Sequence, residues 1–317
     1  MRILVIGKGS VGERHHRNLC TLGVESRWLR LAEFMESGKT GRLLDLDHYD
    51  GAVVATATTV RLDVIRKFAA AGLPLYIEKP LAFRPDDVRD ILTICRGIAS
   101  RSLVGFMMRY HPAVRYLADQ DLAGVYSFAF EIGHDVRQWR PGRMFSGSYA
   151  SESEGGGVLL DLCHELDMAW QLFPEARTVS VSCLGHADWP GVDFCTRVEL
   201  GGRSRASGTV AMDYLSPVPV RRIVLRGIDG SYDFDLANNE FLHETAERRR
   251  FLPLGCERNA MFLAAMEDFL GFVSGQPPTP VRLTPRLDHV GQVCMRIAEA
   301  WDARQFNDCM LSSGDFR

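Results

Sequence analysis

Short apolar runs separated by segments of helical period dominate the first hundred residues. The runs at 2–6, 27–31, 52–56, 75–77 and 103–106 have the length and the Val, Ile and Leu content of buried strands. Between them, 12–22, 61–71 and 85–100 read as the crossover helices. Strand and helix in strict alternation predict a parallel, doubly wound sheet, because each helix carries the chain back to the same end of the sheet. Residues 33–51 are too few and too polar for another complete strand-helix unit, and an abbreviated strand is expected there.

After Pro112 the rhythm changes. A short helix at 113–118, a strand at 126–131, a polar loop to 154 and a long helix from 157 to 173 come first. Strands at 179–184, 194–200, 205–212, 221–226 and 231–235 follow, broken by turn formers such as Gly201-Gly202 and Asp229-Gly230, which predicts an antiparallel meander. Two closing helices, 258–274 and 284–304, flank a Pro-rich link at 276–280. The expected fold class is α/β: a Rossmann-type parallel sheet in a domain spanning 1–112, then an α+β domain spanning 113–317 with an open, mostly antiparallel sheet. The last helix is a candidate to pack back on the first domain. The second sheet has too few helices to cover both faces, so a homodimer or homotetramer through its open face is expected.

Composition narrows the function classes. A chain of 317 residues with 46% hydrophobic content can bury a large core. Its net charge of −3, with Lys and Arg dispersed, gives no reason to expect nucleic acid or an anionic membrane as partner. No apolar run reaches the roughly 18 residues of a spanning helix, and Met1 leads straight into the first strand, so a cytoplasmic protein is expected. The eight cysteines never form CxxC and several sit among apolar residues of predicted helices or strands, the pattern of reduced structural thiols, and no metal site is expected.

Candidate chemistry begins with Gly7, Gly9 and Gly12, a GxGxxG pattern directly after a strand and at the start of a helix. Gly7 permits a tight turn, Gly9 lets backbone approach a pyrophosphate, and Gly12 allows close packing, while amides around Ser10 and Val11 face the phosphates. Thr56 and Glu78, at the ends of later strands, complete the expected dinucleotide contacts. Arg30 and Glu33 follow the second strand and point to opposite cofactors: an acid accepts the ribose hydroxyls of NAD, an arginine pairs with the 2′-phosphate of NADP. Arg30 is the better aligned, which favours NADP. Lys79, held by Pro80 just beyond the fourth strand, lies where open α/β sheets bind the reactive end of a ligand. Further on, Gly155-Gly156-Gly157 lead into a helix on which Asp161, His164 and Asp167 share one side, so that a carboxylate can orient the imidazole.

Through GKGSVG, Glu78-Lys79-Pro80 and GGGVLLDLCHELD the chain resembles the glucose-fructose oxidoreductase and inositol dehydrogenase family (Gfo/Idh/MocA), over nearly its whole length. The resemblance implies that Lys79 and His164 flank a substrate carbon facing a nicotinamide, that the Lys79-Pro80 peptide is often cis, and that NAD(P) is the cofactor. A subgroup associated with sialic-acid-like and other surface sugars is similar through Arg109-Tyr110-His111-Pro112, Gln138-Trp139-Arg140-Pro141, Ser148-Tyr149 and His164-Glu165. That likeness implies a polar sugar bound by Arg109, Trp139, Arg140 and Tyr149, together with Asp161 and His164. Two departures stand out: Ala57 and Arg61 replace a proline and a histidine common in the family, and Asp161 stands three rather than four residues before His164. The expected activity is hydride transfer between nicotinamide and a secondary alcohol or ketone carbon of a sugar, with catalysis by Lys79, His164 and Asp161. The alternatives are a cofactor-sensing regulatory protein without chemistry and an NAD-assisted glycoside hydrolase.

Overall fold

A computed structural model describes residues 1–36, 45–139, 144–202, 205–276 and 283–312. In chain order its elements are β1 (Arg2–Ile6), α1 (Ser10–Thr21), β2 (Glu25–Leu29), α2 (Leu31–Glu36), β3 (Gly51–Val54), α3 (Thr58–Ala70), β4 (Leu75–Ile77), α4 (Pro85–Ile94) and β5 (Leu103–Val104). There follow α5 (Pro112–Ala118), β6 (Val125–Gly133), α6 (Val136–Trp139), α7 (Val158–Asp161), α8 (His164–Leu172), β7 (Arg177–His186), β8 (Trp189–Gly201) and β9 (Ser207–Asp213). The chain ends with β10 (Val220–Gly227), β11 (Ser231–Asp235), β12 (Glu240–Glu244), β13 (Arg249–Phe251), α9 (Arg258–Val273), α10 (Leu287–Asp302) and β14 (Gln305–Phe306). It divides into two compact units, Met1–Tyr110 with Glu257–Met295, and His111–Cys256 with Arg296–Arg317.

Unit 1 carries a five-stranded sheet in the order β2-β1-β3-β4-β5, every pairing parallel. The apolar residues of β1 and β3 are wholly buried, which is why these strands read as unbroken hydrophobic runs rather than alternations. Strand order reverses between β1 and β3, and in such sheets the crevice beyond that reversal is where ligands bind. The abbreviated strand expected within 33–51 does not form among the described residues. The stretch instead holds the end of α2 and a 3-10 turn at Leu46–His48, and 37–44 lie outside the described residues. Glu33 Oε2 accepts the Arg30 N–H at 2.8 Å at the start of α2, whose Phe34 stacks on Phe68.

Unit 2 is built on a nine-stranded sheet, order β13-β12-β11-β10-β6-β9-β8-β7-β14. Its pairings are antiparallel except β6–β9 and β7–β14, which are parallel. Two meanders, β7-β8-β9 and β10-β11-β12-β13, thus flank β6 rather than running on as one. The short strands β12, β13 and β14 escaped the sequence pattern; β13 is Arg-Arg-Phe, exposed throughout, and offers no period-two signal. Phe128, Phe130, Val198, Val210, Met212, Leu225, Phe234 and Phe241 fill the core beneath α5 and α8. The long helix expected over 157–173 is broken at Leu162-Cys163 into α7 and α8. Residues 158–170 are buried on every side, so their apolar content carries no period that could locate the break.

Candidate functional site

In unit 1 the chain turns at Gly7 with φ +114°, and its N–H donates to the Leu29 carbonyl at 3.0 Å. A Cβ there would stand 2.2 Å from the Ala55 carbonyl oxygen, so the loops after β1 and β3 meet at the strand-order reversal. A Cβ on Gly12 would come 1.9 Å from the Gly7 carbonyl oxygen, whereas one on Gly9 would meet nothing within 4 Å. The three glycines therefore differ in kind. Gly7 and Gly12 let backbone close on backbone, and Gly9 opens on free space at the N-terminus of α1. The first helical bond there is Glu13 N–H to Gly9 carbonyl, 2.9 Å, which leaves the Ser10, Val11 and Gly12 amides ahead of it. These donors and the helix dipole make an anion cradle.

Thr56 stands beside this cradle in the loop after β3; its hydroxyl is buried and, among the described residues, has no hydrogen-bond partner. A dinucleotide fits this set of residues. Sequence reasoning missed Trp28, whose indole N–H donates to the Gly7 carbonyl at 2.9 Å and braces the glycine turn from β2. Arg30 is exposed beyond β2; Lys8 Nζ stands 3.9 Å from Glu33 Oε2 and 5.6 Å from the centroid of the Trp28 ring.

Beyond β4, the Lys79-Pro80 peptide is cis and Lys79 is half-buried. Glu78, expected at the cofactor, has its carboxylate inside the protein with His15 Nε2 2.6 Å away. Burial would raise its pKa, yet the His15 hydrogen bond and the charges of His15, Lys79 and Arg61 prevail and hold it below the usual carboxylate value. Gly105 leaves the room this carboxyl needs, since a Cβ there would approach its carbon to 3.1 Å. Arg109 is buried in a 3-10 turn at Met107–Tyr110, its guanidinium 6.0 Å from the centre of the Phe106 ring.

In unit 2, Gly157 starts α7 with φ +90°, and a Cβ there would lie 2.0 Å from Asp193 Oδ1. The triple glycine thus lets the chain close over Asp193, whose Oδ2 accepts the Leu159 N–H at 2.9 Å and the Thr196 hydroxyl at 2.6 Å. Arg304 balances that buried charge at 2.5 Å. Asp161, at the end of α7, accepts hydrogen bonds from the Tyr149 hydroxyl and, at 3.1 Å, from the buried Tyr214 hydroxyl. Burial and the Asp161 charge push the Tyr214 pKa well up, so that phenol remains a donor. His164 opens α8 and is buried; since the helix is interrupted between them, the three-residue spacing from Asp161 does not put the two on one continuous helical face. Asp167 is buried one turn into α8, and Glu165 is paired with Arg221 at 2.7 Å.

Tyr149 keeps an exposed ring. Trp139 ends α6 with a side chain outside the described set, and Arg140 lies outside the described residues. Burial lifts the Cys95 thiol to about 12. Among the described residues no cluster of His, Cys, Asp or Glu could hold a metal ion, and no helix is long and apolar enough to cross a membrane.

His111 of the Arg109-Tyr110-His111-Pro112 segment serves a structural purpose, because its Nδ1 accepts the Ala113 N–H at 3.1 Å and caps α5. Burial, helped by the Arg221 charge, lowers its pKa to about 4. A histidine kept neutral by folding contributes fully above its unfolded pKa near 6.5 and loses that contribution as pH falls towards 4. Stability should therefore drop by about 2 kcal/mol between pH 6.5 and 5. Denaturant unfolding of His111→Asn, which keeps a capping acceptor, should show a flatter pH dependence over that window. Glu78, with its lowered pKa, acts in a lower window, losing its contribution as pH falls below about 4.5.

Comparison with known proteins agrees with this picture. No family model matches the chain. It is 26% identical over 135 residues to the rhizopine catabolism protein MocA of Rhizobium meliloti, a match covering 41% of this chain and 40% of that protein. It is 33% identical over 137 residues to an inositol 2-dehydrogenase of Rhizobium meliloti (strain 1021), covering 42% of this chain and 39% of that one. The matched stretch thus spans about two fifths of either curated relative. Over whole chains the fold matches UDP-N-acetylglucosamine 3-dehydrogenase from Acidithiobacillus ferrooxidans, with TM-score 0.73, 20% identity and 95% of each chain covered. It also matches levoglucosan dehydrogenase in complex with NADH and L-sorbose, with TM-score 0.76, 17% identity and 95% of each chain. A third match is a variant of a 3-ketoreductase from Actinomadura kijaniata in complex with TDP-benzene and NADP, with TM-score 0.71 and 16% identity over 98% of this chain and 99% of that one. The fold is thus common to these proteins, and the two curated matches support the likeness to the Gfo/Idh/MocA family.

Proposed function

We propose that the chain is a nicotinamide-dependent oxidoreductase acting on a secondary alcohol or ketone carbon of a sugar or sugar derivative. The observation that carries this reading is the cradle at the strand-order reversal: open space at Gly9, leading amides of α1, and a buried Thr56 hydroxyl without a partner among the described residues. Gly7, Gly9, Ser10, Val11 and Gly12 would hold the diphosphate, and Thr56 and the Glu78-Lys79 segment would lie along the nicotinamide half. Bound nicotinamide supplies the hydride acceptor or donor. In oxidation His164 takes the hydroxyl proton and Lys79 stabilises the negative charge developing on that oxygen; in reduction the roles reverse. Asp161, fixed by two phenols, is the carboxylate that orients the acid-base machinery. The nature of the relatives supports a sugar, and Arg109, Trp139, Arg140 and Tyr149 are its proposed contacts, suited to an acidic or nucleotide-activated sugar of the surface-glycan type. The protein is further proposed to work in the cytoplasm as a homodimer or homotetramer through the open face of the unit 2 sheet.

Nucleotide sugars, sugar acids and inositols, screened for absorbance change at 340 nm with NADH and NADPH, test the reading. Tightly retained cofactor with glycoside cleavage and no net absorbance change would replace it with redox-assisted hydrolysis. Arg30 stands at the N-cap of α2, while Glu33 is engaged by the Arg30 N–H and lies beside Lys8. The proposed cofactor is therefore NADP. Arg30→Ser should raise the KM for NADPH roughly tenfold and leave that for NADH nearly unchanged, as loss of a charge-assisted contact predicts.

A further inference from the structure

α3 turns Arg61 inward, where 3% of its surface remains exposed. Its Nη1 donates to the Glu78 carbonyl at 2.7 Å and to the Pro80 carbonyl, and its Nη2 donates to the Thr56 carbonyl. The first oxygen belongs to the Glu78–Lys79 peptide and the second to the Pro80–Leu81 peptide, so the two bracket Lys79 and its cis bond to Pro80. The third belongs to the loop after β3 that carries the unpartnered Thr56 hydroxyl. We propose that Arg61 is the positioning residue of the Lys79 loop: one guanidinium holds the carbonyls of Glu78 and Pro80, the residues on either side of Lys79, and ties them to the cofactor-side loop, so that the ammonium is presented from a fixed backbone.

Arginine is the residue type suited to this role. A guanidinium is a planar fork with several donors in fixed directions, able to engage carbonyls from two loops at once, which an ammonium or a neutral amide does not match. A buried cation also requires compensation. It has that in the carbonyl dipoles and in the Glu78 carboxylate, which feels the Arg61 charge and is itself anchored to His15 from α1. Lys79 is therefore flanked by Glu78, held at both side chain and carbonyl, and by Pro80, held at its carbonyl. The tether deepens the functional reading above and rests on it only for the chemical use of Lys79, not for its own existence.

The test uses the scarcity of lysine in the chain, which has only Lys8, Lys39, Lys67 and Lys79. Reductive methylation with ¹³C-formaldehyde keeps the charge and gives a few resolved dimethylamine signals, of which the one missing in Lys79→Arg is Lys79. In Arg61→Gln and Arg61→Lys, with circular dichroism matching wild type, the Lys79 signal should shift or split while those of Lys8 and Lys67 stay in place. On any substrate the screen finds, kcat should fall roughly tenfold or more, with NADPH affinity changed less than about threefold, as misplacement of a reacting group predicts. An unchanged Lys79 signal in the folded variants overturns the proposal, as does an unchanged kcat. Loss of fold in both variants also overturns it, because Arg61 then supports the unit as a whole rather than one loop. Absence of any nicotinamide-linked turnover in the wild type would sink the functional reading alone, and the resonance measurement would still decide on Arg61.

Discussion

Replacing Lys79 by alanine, or His164 by alanine, is expected to lower kcat by a hundredfold or more while NADPH still binds. General acid-base and charge-stabilising groups are typically worth two to four orders of magnitude in rate. Both effects should fall on kcat and kcat/KM together, because the lost interaction exists only in the transition state. Fluorescence titration with NADPH separates binding from chemistry, since the proposed diphosphate contacts lie at Gly7, Gly9 and Gly12, away from the altered side chains. Lys79→Arg keeps a cation on a longer, planar head and should restore little activity if the position of the charge matters. Near-normal turnover in both alanine variants would overturn the assignment of Lys79 and His164 as the proton-handling pair.

The second large effect concerns the glycine turn, where the geometry predicts different consequences for stability, and the same loss of binding, at two of its glycines. Gly12→Ala would drive a methyl to within 1.9 Å of the Gly7 carbonyl oxygen, which already accepts the Trp28 indole N–H, while the Gly7 N–H is tied to the Leu29 carbonyl. Neither backbone can yield cheaply, so the variant should lose about 1–3 kcal/mol of stability, seen as a lower Tm, and bind NADPH at least tenfold more weakly. Gly9→Ala is the contrast. Gly9 has φ −84°, a value alanine adopts freely, and its methyl would meet no protein atom within 4 Å. That variant should melt like wild type and still bind NADPH at least tenfold more weakly, because its methyl enters the space proposed for the diphosphate. Wild-type affinity in Gly9→Ala would place the dinucleotide elsewhere.

The parallel sheet and the glycine turn were legible because each rests on local signals: buried strands read as continuous apolar runs, and GxGxxG between strand and helix has a single geometric meaning. Where the sequence misled, a side chain outside the pattern decided. Glu33 caps the start of α2 in the stretch where a strand was expected, and the wholly buried stretch 158–170 hid the break between α7 and α8. Arg61, His15, Trp28 and Tyr214 were not legible as site residues. Each acquires its role from a partner distant in sequence: the Glu78 and Pro80 carbonyls, Glu78, the Gly7 carbonyl and Asp161. Arg61 was visible only as a departure from a family pattern, and its structural use supplies a reason for the departure.

The division of unit 1 into two sequence segments bears on how the chain is made. The returning segment Glu257–Met295 supplies α9, whose Phe269 meets Tyr76 edge-on and whose Asp268 accepts the Tyr110 hydroxyl at 2.8 Å. Phe262 of the same helix lies against the His15 ring that locks Glu78. On the ribosome this helix emerges only after His111–Cys256 has been synthesised, a wait of roughly 7–30 s at about 5–20 residues per second. Through that interval the nascent nucleotide half has an unfinished core, with the aromatic wall around Tyr76 and His15 open to water and to chaperones.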